Sequence, residues 1–229
     1  MILGLVCARS GSVGIKDKNL RLVGGLPLYW RALSASLDCQ QINLTALSTD
    51  IFPVPQVPVG VMRITRPGKL ARQTTSKWEV WKHAVAEIEK LGDVKRVDAV
   101  VDIDATRPLK VPEDISLCVV TWLKDPQADS VMAITHARKN PYFDLLEYNL
   151  DGELHTSKSA GKIITCRQDT PDVFEHGGIY VVGRDALEAD KDLFDGIVHG
   201  VEVPRERAHD IDDETDLEIA ELLIAHATV

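Results

Sequence analysis

The feature that most constrains this chain is a set of short, near-continuous apolar runs separated by stretches with helical spacing. Residues 2–8, 42–48, 97–103, 130–135 and 177–182 have strand length and little polar alternation. A strand reads this way when both faces of its sheet are covered, as in parallel sheets flanked by helices. Residues 76–91 carry apolar side chains at 78, 80, 81, 84, 85, 88 and 91 and stop at Gly92, which is helical spacing with a glycine end. Residues 28–37, 112–123 and 214–227 read as further helices, the first two opened by Pro27 and Pro112. Strands alternating with helices predict an α/β fold with a mainly parallel sheet. Residues 136–176 break the alternation. Residues 142–154 alternate weakly around Asn149-Leu150-Asp151-Gly152, a hairpin-like turn, so this stretch reads as a small antiparallel insertion.

The 229 residues suit one domain with such an appendage. The 26 basic against 35 acidic residues leave a formal charge of −9, which argues against a general nucleic-acid binder but leaves room for a local basic pocket. Cys7, Cys39, Cys118 and Cys166 have no zinc-type spacing, and Cys7 and Cys118 read as core thiols. The opening MILGLVCARSGS lacks a basic segment ahead of its apolar run and reads as a buried strand rather than a signal peptide. No apolar run is long enough for a membrane span. A reducing cytoplasm is the expected compartment.

Four constellations carry chemistry. Arg9-Ser10-Gly11-Ser12-Val13-Gly14-Ile15-Lys16-Asp17-Lys18-Asn19 follows the first strand. Its glycines and serines can turn several backbone N–H groups toward one anion, and Arg9, Lys16 and Lys18 add fixed positive charge. It is neither a Walker loop nor a dinucleotide fingerprint. Asp102-Ile103-Asp104 ends a strand, so both carboxylates share a face at the sheet end where open α/β sheets bind ligands. Asp210-Ile211-Asp212 precedes the last helix. Either pair has the oxygen chemistry for Mg²⁺. Helix capping by Asp212 or Asp213 is the plainer reading of the second pair. Arg66-Pro67 leads to Thr75 and Ser76, candidate caps of the 76–91 helix. Arg167-Gln168-Asp169 offers a guanidinium for a substrate carboxylate, or a surface ion pair.

Taken in order, eight motifs resemble the CMP-sialic acid synthetase family, the cytidylyltransferases of acylneuraminic and related nonulosonic acids. They are the loop 8–19, Gly25-Leu26-Pro27-Leu28, Ser48-Thr49-Asp50, Arg66-Pro67-Gly68-Lys69-Leu70-Ala71, Ala105-Thr106-Arg107-Pro108-Leu109-Lys110, Arg167-Gln168-Asp169-Thr170-Pro171, His176-Gly177-Gly178-Ile179-Tyr180 and Pro204–Asp212. The resemblance implies a three-layer, Rossmann-like nucleotidyltransferase domain over 1–229, with 136–176 as a dimerisation and sugar-site insertion. It implies transfer from CTP to a 2-keto-3-deoxy sugar acid, giving a CMP-sugar and pyrophosphate. Arg9, Ser12, Lys16, Lys18, Asn19 and Arg66 would hold the nucleotide. Asp104, Thr106, Arg167 and Gln168 would hold the sugar, Arg167 reaching a neighbouring subunit. Asp210 and Asp212 would hold Mg²⁺, and Arg9, Lys18 and Asp212 would serve catalysis.

The departures fall at the sugar and phosphate ends. Val13 stands where the family has a phosphate-binding lysine, and Lys16, where it has proline, is the candidate replacement. Asp104 stands for a sugar-recognising glutamine, Arg107 for serine and Gln73 for aspartate. An ionised Asp104 only accepts hydrogen bonds, so it suits an amine or extra hydroxyl better than an acyl carbonyl, or serves as a further metal ligand. The alternatives are the same scaffold with another triphosphate or an amino sugar, and a non-catalytic nucleotide-sugar binder.

Overall fold

A computed structural model describes residues 1–229 apart from 13, 93, 95, 190–192, 228 and 229. The chain runs β1 (Ile2–Ala8), β2 (Leu22–Val23), β3 (Leu26–Pro27), α1 (Leu28–Leu37), β4 (Leu44–Thr49), β5 (Val61–Thr65), α2 (Lys77–Lys90), β6 (Ala99–Ile103) and α3 (Pro112–Lys124). It continues through β7 (Ser130–His136), β8 (Leu146–Tyr148), β9 (Leu154–Thr156), β10 (Phe174–Gly183), α4 (Arg184–Glu188), β11 (Val198–Glu202) and α5 (Glu214–Ala227).

A seven-stranded sheet has the order β11-β7-β10-β6-β1-β4-β5. β1 pairs in parallel with both β4 and β6, β4 with β5, and β7 with β11, while β10 runs antiparallel to β6. The sheet is mainly parallel, as the unbroken apolar runs predict. Side-chain alternation explains why those runs carry no polar face. Val6 and Ala8 of β1, with Val101 and Ile103 of β6, pack on one side with Ala32 and Leu33 of α1 and Ile115 and Val119 of α3. Leu3 and Leu5, with Val100, pack on the other side with Trp81, Val85 and Ile88 of α2 and Leu187 of α4. Both faces are covered, which gives the three layers.

The helix starts follow local chemistry. Pro27 precedes α1 rather than opening it. Ser76 caps α2, its side chain accepting from the Glu79 N–H at 3.3 Å. Asp213 caps α5. Its carboxylate accepts from the Asp216 N–H at 3.0 Å, and the Asp216 carboxylate accepts from the Asp213 N–H at 3.0 Å. This reciprocal pair has the logic of a capping box.

The chain divides into two compact units, Met1–Ile134 with His176–Val229, and Thr135–Glu175. In the smaller unit β8 and β9 form an antiparallel hairpin whose turn is tied by Asn149, its side-chain oxygen accepting from the Asp151 and Glu153 N–H groups. β5, β11 and α4 have no counterpart among the runs read from sequence. β5 is short and mixed, VMRIT, and its partly exposed pattern marks it as the outer strand beside β4. No helix among the described residues is long and apolar enough to cross a membrane.

α1 lies close on β1 because Gly4 has no side chain there. A Cβ at Gly4 would stand 2.2 Å from Ser36 Oγ and 2.9 Å from Ile42 Cγ2. Ser36 cannot simply swing aside, since its hydroxyl is buried in a 2.9 Å hydrogen bond with Thr45 Oγ1. Gly4→Ala is therefore expected to cost about 1–3 kcal/mol of stability, read as a lower urea midpoint with an unchanged slope. A midpoint at the wild-type value would show that the helix can lift off without loss.

Candidate active site

β1 is the strand at which the sheet order reverses. The chain passes from β1 outward through β4 and β5, then returns to build β6 on the other side. In open α/β sheets the crevice at the carboxyl ends of such strands is where ligands bind. A cleft of about 530 Å³ lies there. Its lining includes Cys7 near the end of β1 and Arg9 after it, Asp104 and Thr106 after β6, Arg66 after β5, and Lys77 at the start of α2.

The loop 9–19 is fixed at several points. Ser10 is tied to Asp50, its N–H donating at 2.8 Å and its hydroxyl at 2.6 Å to the carboxylate. Asn19 is buried and donates to the Arg9 carbonyl at 3.1 Å. Ile15 is buried with Leu28, Ile211 and Leu217, which anchors the middle of the loop. Gly14 lets the 210–213 segment come close, because a Cβ there would sit 2.2 Å from the Asp212 carbonyl oxygen. Lys18 joins the two, its ammonium donating to the Ile211 carbonyl at 2.7 Å and to Asp212 Oδ1 at 3.0 Å.

Arg66 is buried and held in place by Ser48, its Nε donating to the hydroxyl at 3.1 Å and its Nη2 to the carbonyl at 2.8 Å. The cleft lining thus carries Arg9, Lys18, Arg66, Arg72 and Lys77 against Asp104 and Asp212. In a chain with a net charge of −9 this is a local excess of positive charge, shaped for an anionic ligand.

Of the residues expected from the sequence, the cleft gathers Arg9, Ser12, Lys18, Asn19, Arg66, Asp104, Thr106 and Asp212. Lys16 is not brought there. Burial of its neighbour Ile15 turns it outward, and it is exposed away from the cleft lining. Asp210 is also absent from the lining. Its carboxylate takes a 2.8 Å ion pair from Arg107 Nη2, and its Oδ1 is buried with no hydrogen-bond partner among the described residues. Arg167 and Gln168 belong to the unit Thr135–Glu175 and are exposed, the Arg167 guanidinium donating to the Arg138 carbonyl. Val13 lies outside the described residues.

The Asp102–Asp104 pair shares a face, as strand geometry requires, but the cation between the carboxylates is an ammonium. Lys77 donates to Asp102 Oδ2 at 2.8 Å and to Asp104 Oδ1 at 2.5 Å, and its Nζ stands 4.2 Å from the centre of the Tyr180 ring. Burial alone would lower the Lys77 pKa, but the two carboxylates outweigh it and hold it well above the usual lysine value. Burial raises the Asp102 pKa. Asp104 is also penalised by burial, yet Lys77 and Lys110 bring its pKa below the usual value. The pull of the Cys7 thiol is upward, from burial first and the Asp102 charge second, so Cys7 lines the cleft as an inert thiol.

Lys77, Arg72 and Arg107 are the site residues that sequence reasoning passed over. Lys77 sits in an amphipathic helix pattern, where a first-turn lysine gives no signal of its own. Arg107 stands out in the sequence only as a departure from the family pattern, yet its Nη1 donates to the Ala208 carbonyl at 2.6 Å and the His176 carbonyl at 2.5 Å, so it ties three segments together.

A sequence profile of the family described as cytidylyltransferase matches residues 3–180. The chain belongs to the cytidylyltransferase family. It is 30% identical over 97% of its length to post-translational flagellin modification protein B of Campylobacter coli, covering 94% of that protein. It is 28% identical to CMP-N,N'-diacetyllegionaminic acid synthase of Campylobacter jejuni, covering 98% of this chain and 95% of that one. In fold it is similar to CMP:2-keto-3-deoxy-manno-octonic acid synthetase solved with CTP, with a TM-score of 0.68 and 16% identity over 99% of both chains. The cytidylyltransferase is thus an α/β nucleotidyltransferase with its cationic cleft at the expected sheet end.

Lys110 gives a test of the buried charge beneath the cleft. Among the described residues its ammonium donates only to the Asp104 and Arg107 carbonyls, both at 3.0 Å. Burial, set against the Asp104 charge, pulls its pKa down to about 7. Between pH 7 and 10 the unfolded chain therefore binds the extra proton, so this group makes stability rise with pH across that window. Urea unfolding at pH 7 and pH 9.5 should show wild type gaining on the order of 2 kcal/mol relative to Lys110→Met. Parallel pH dependences would mean that Lys110 holds its proton in the folded protein as firmly as in the unfolded chain.

Proposed function

We propose that this cytidylyltransferase joins CTP to a 2-keto-3-deoxy sugar acid of the nonulosonic class, releasing pyrophosphate. The observation that carries the reading is the cationic cleft at the carboxyl ends of β1 and β6, in a chain similar over nearly its whole length to a CMP-N,N'-diacetyllegionaminic acid synthase and a flagellin modification protein. In the reaction, the sugar's anomeric hydroxyl oxygen forms a bond to the α-phosphorus of CTP. The bond from that phosphorus to the bridging oxygen breaks, pyrophosphate carries off the electron pair, and the hydroxyl proton passes to solvent.

Such transfer depends on positioning and on neutralising charge rather than on a strong base. Arg9, Lys18 and Arg66 supply fixed cations for the triphosphate, with Ser12 and Asn19 beside them. Lys18 is already held on Asp212 and the Ile211 carbonyl, so its orientation costs little entropy on binding. Thr106 and Asp104, which follow β6 on the same lining, would face the sugar acid.

The donor set at the end of the cleft fits Mg²⁺. Asp212 is an exposed carboxylate on the lining, and Asp210 keeps one buried, unpartnered oxygen two residues away. Mg²⁺ takes one or two carboxylates and fills its other positions with water and phosphate oxygens. Asp210 and Asp212 would hold it, and the ion would neutralise phosphate charge and favour the hydroxyl's ionisation.

The unit Thr135–Glu175 is read as a dimerisation insertion. It exposes Leu145, Leu146, Tyr148, Leu150, Leu154 and Ile163, an apolar surface unusual for so short a segment and suited to a second copy of the chain. In that homodimer Arg167 and Gln168 would serve the sugar acid of the neighbouring subunit. The four free cysteines suit a reducing cytoplasm.

Pyrophosphate release should appear with CTP, a nonulosonic acid and Mg²⁺. No release with CTP, but release with another triphosphate, would reassign the base. Asp212→Ala should lower kcat by about 100-fold or more while the protein stays folded; turnover near wild type would remove Asp212 from the mechanism. Arg167→Ala should raise the sugar KM about 10- to 100-fold, the worth of one charge-assisted hydrogen bond, with the CTP KM unchanged. Equal changes in both constants would argue against a carboxylate clamp.

A further inference from the structure

The two carboxylates read as metal ligands each meet a cation of the chain itself, and the two cations are held differently. Asp212 is paired with Lys18 on the cleft lining, and its side chain is 78% exposed, so water screens that pair. Asp210 is paired with Arg107, whose side chain is 14% exposed. The Arg107 Nη2 donates to Asp210 Oδ2 at 2.8 Å, and its Nη1 is locked by two backbone carbonyls, those of His176 and Ala208. Gly178 leaves the room that this side chain fills, since a Cβ there would stand 2.3 Å from Arg107 Cδ and 2.9 Å from its Nε. An arginine held in this way does not turn aside, and it does not shed its proton. Asp210 therefore carries a permanent counter-charge.

That counter-charge bears on a divalent ion in two ways. Oδ2 is occupied, so the ion is left with Oδ1, which is buried and has no hydrogen-bond partner among the described residues. A guanidinium on the same carboxylate also repels the ion, at short range and from a largely buried position. A strut for Asp210 would strengthen metal binding instead, but the segment has no need of one. Ile211, next in the chain, is fully buried, its N–H donates to the Thr106 carbonyl and its carbonyl accepts from Lys18. Position is set there by the backbone, and what Arg107 adds is charge.

We propose that Arg107 sets the divalent-ion affinity of the Asp210–Asp212 site, and holds it low by competing with the ion for Asp210. The proposal rests on the reading of those two carboxylates as the Mg²⁺ ligands.

The test is a titration of the nucleotide-free protein with Mn²⁺ at one pH, the unbound ion being counted by electron paramagnetic resonance. Arg107→Gln keeps side-chain N–H donors and removes the charge. It should bind Mn²⁺ about tenfold or more tightly than wild type, while Arg107→Lys, which keeps the charge, should stay within about threefold of wild type. In turnover, the Mg²⁺ concentration for half-maximal rate should fall in Arg107→Gln in the same sense. Arg107→Gln leaves Asp210 without a counter-charge and is vulnerable to misfolding, so a second comparison runs beside it. Arg107→Gln with Asp210→Asn removes both charges together. It should bind Mn²⁺ more tightly than Asp210→Asn alone, whereas a strut has no carboxylate to hold in either variant. A weaker or unchanged affinity in folded Arg107→Gln, or no gain in the double variant over Asp210→Asn, would overturn the role of Arg107 and leave the functional reading standing. If neither wild type nor any variant binds Mn²⁺, the metal reading fails and this inference fails with it. Tighter binding in Arg107→Gln without pyrophosphate release from CTP and any nonulosonic acid would overturn the catalytic reading alone.

Discussion

The site depends on one long-range contact, the docking of residues 210–213 against the loop 9–19. Ile211 provides the anchor. It is fully buried with Ile15 and Leu28, its N–H donates to the Thr106 carbonyl at 2.9 Å, and its carbonyl accepts from Lys18. Residues nearly 200 positions apart are thereby held together. The apolar side chain sinks into the core and its polar neighbours are left at the cleft. Without Gly14 the two segments could not close, and Lys18 and Asp212 would not share the cleft.

The charges around this contact are arranged to survive burial. Isolated buried charges are costly, whereas paired ones are tolerated when hydrogen bonds satisfy the remaining groups. Arg66 rests on Ser48, Asp210 on Arg107, and the two strand-end carboxylates on Lys77. The result is a cleft whose cations are oriented before any ligand arrives. That preorganisation is what transfer of a charged phosphoryl group requires.

Much of this was legible in the sequence because the two layers of helices impose continuous apolar runs on β1, β4, β6, β7 and β10. The loop motif and the Asp210-Ile211-Asp212 motif were also legible, since they are local and rich in charged and turn-forming residues. β5 and β11 were not, because short, partly exposed strands alternate too weakly to stand out. Lys16 shows a limit of local reading. A cation in a phosphate-type loop looks functional, but the burial of Ile15 decides which way it points.

By itself, the sequence determined the α/β class, the parallel character of the sheet and the end of it at which the cleft residues gather. These follow from hydrophobic periodicity and turn chemistry, which are properties of neighbouring residues. Only the tertiary structure decided that Lys77 is the partner of Asp102 and Asp104, that Arg107 neutralises Asp210, and that Lys16 stays outside. Each of these is an electrostatic pairing between residues distant in the chain. Such pairings are fixed by strand order, by the approach of α2 to β6 and by what the core buries, none of which is encoded in any single stretch of residues.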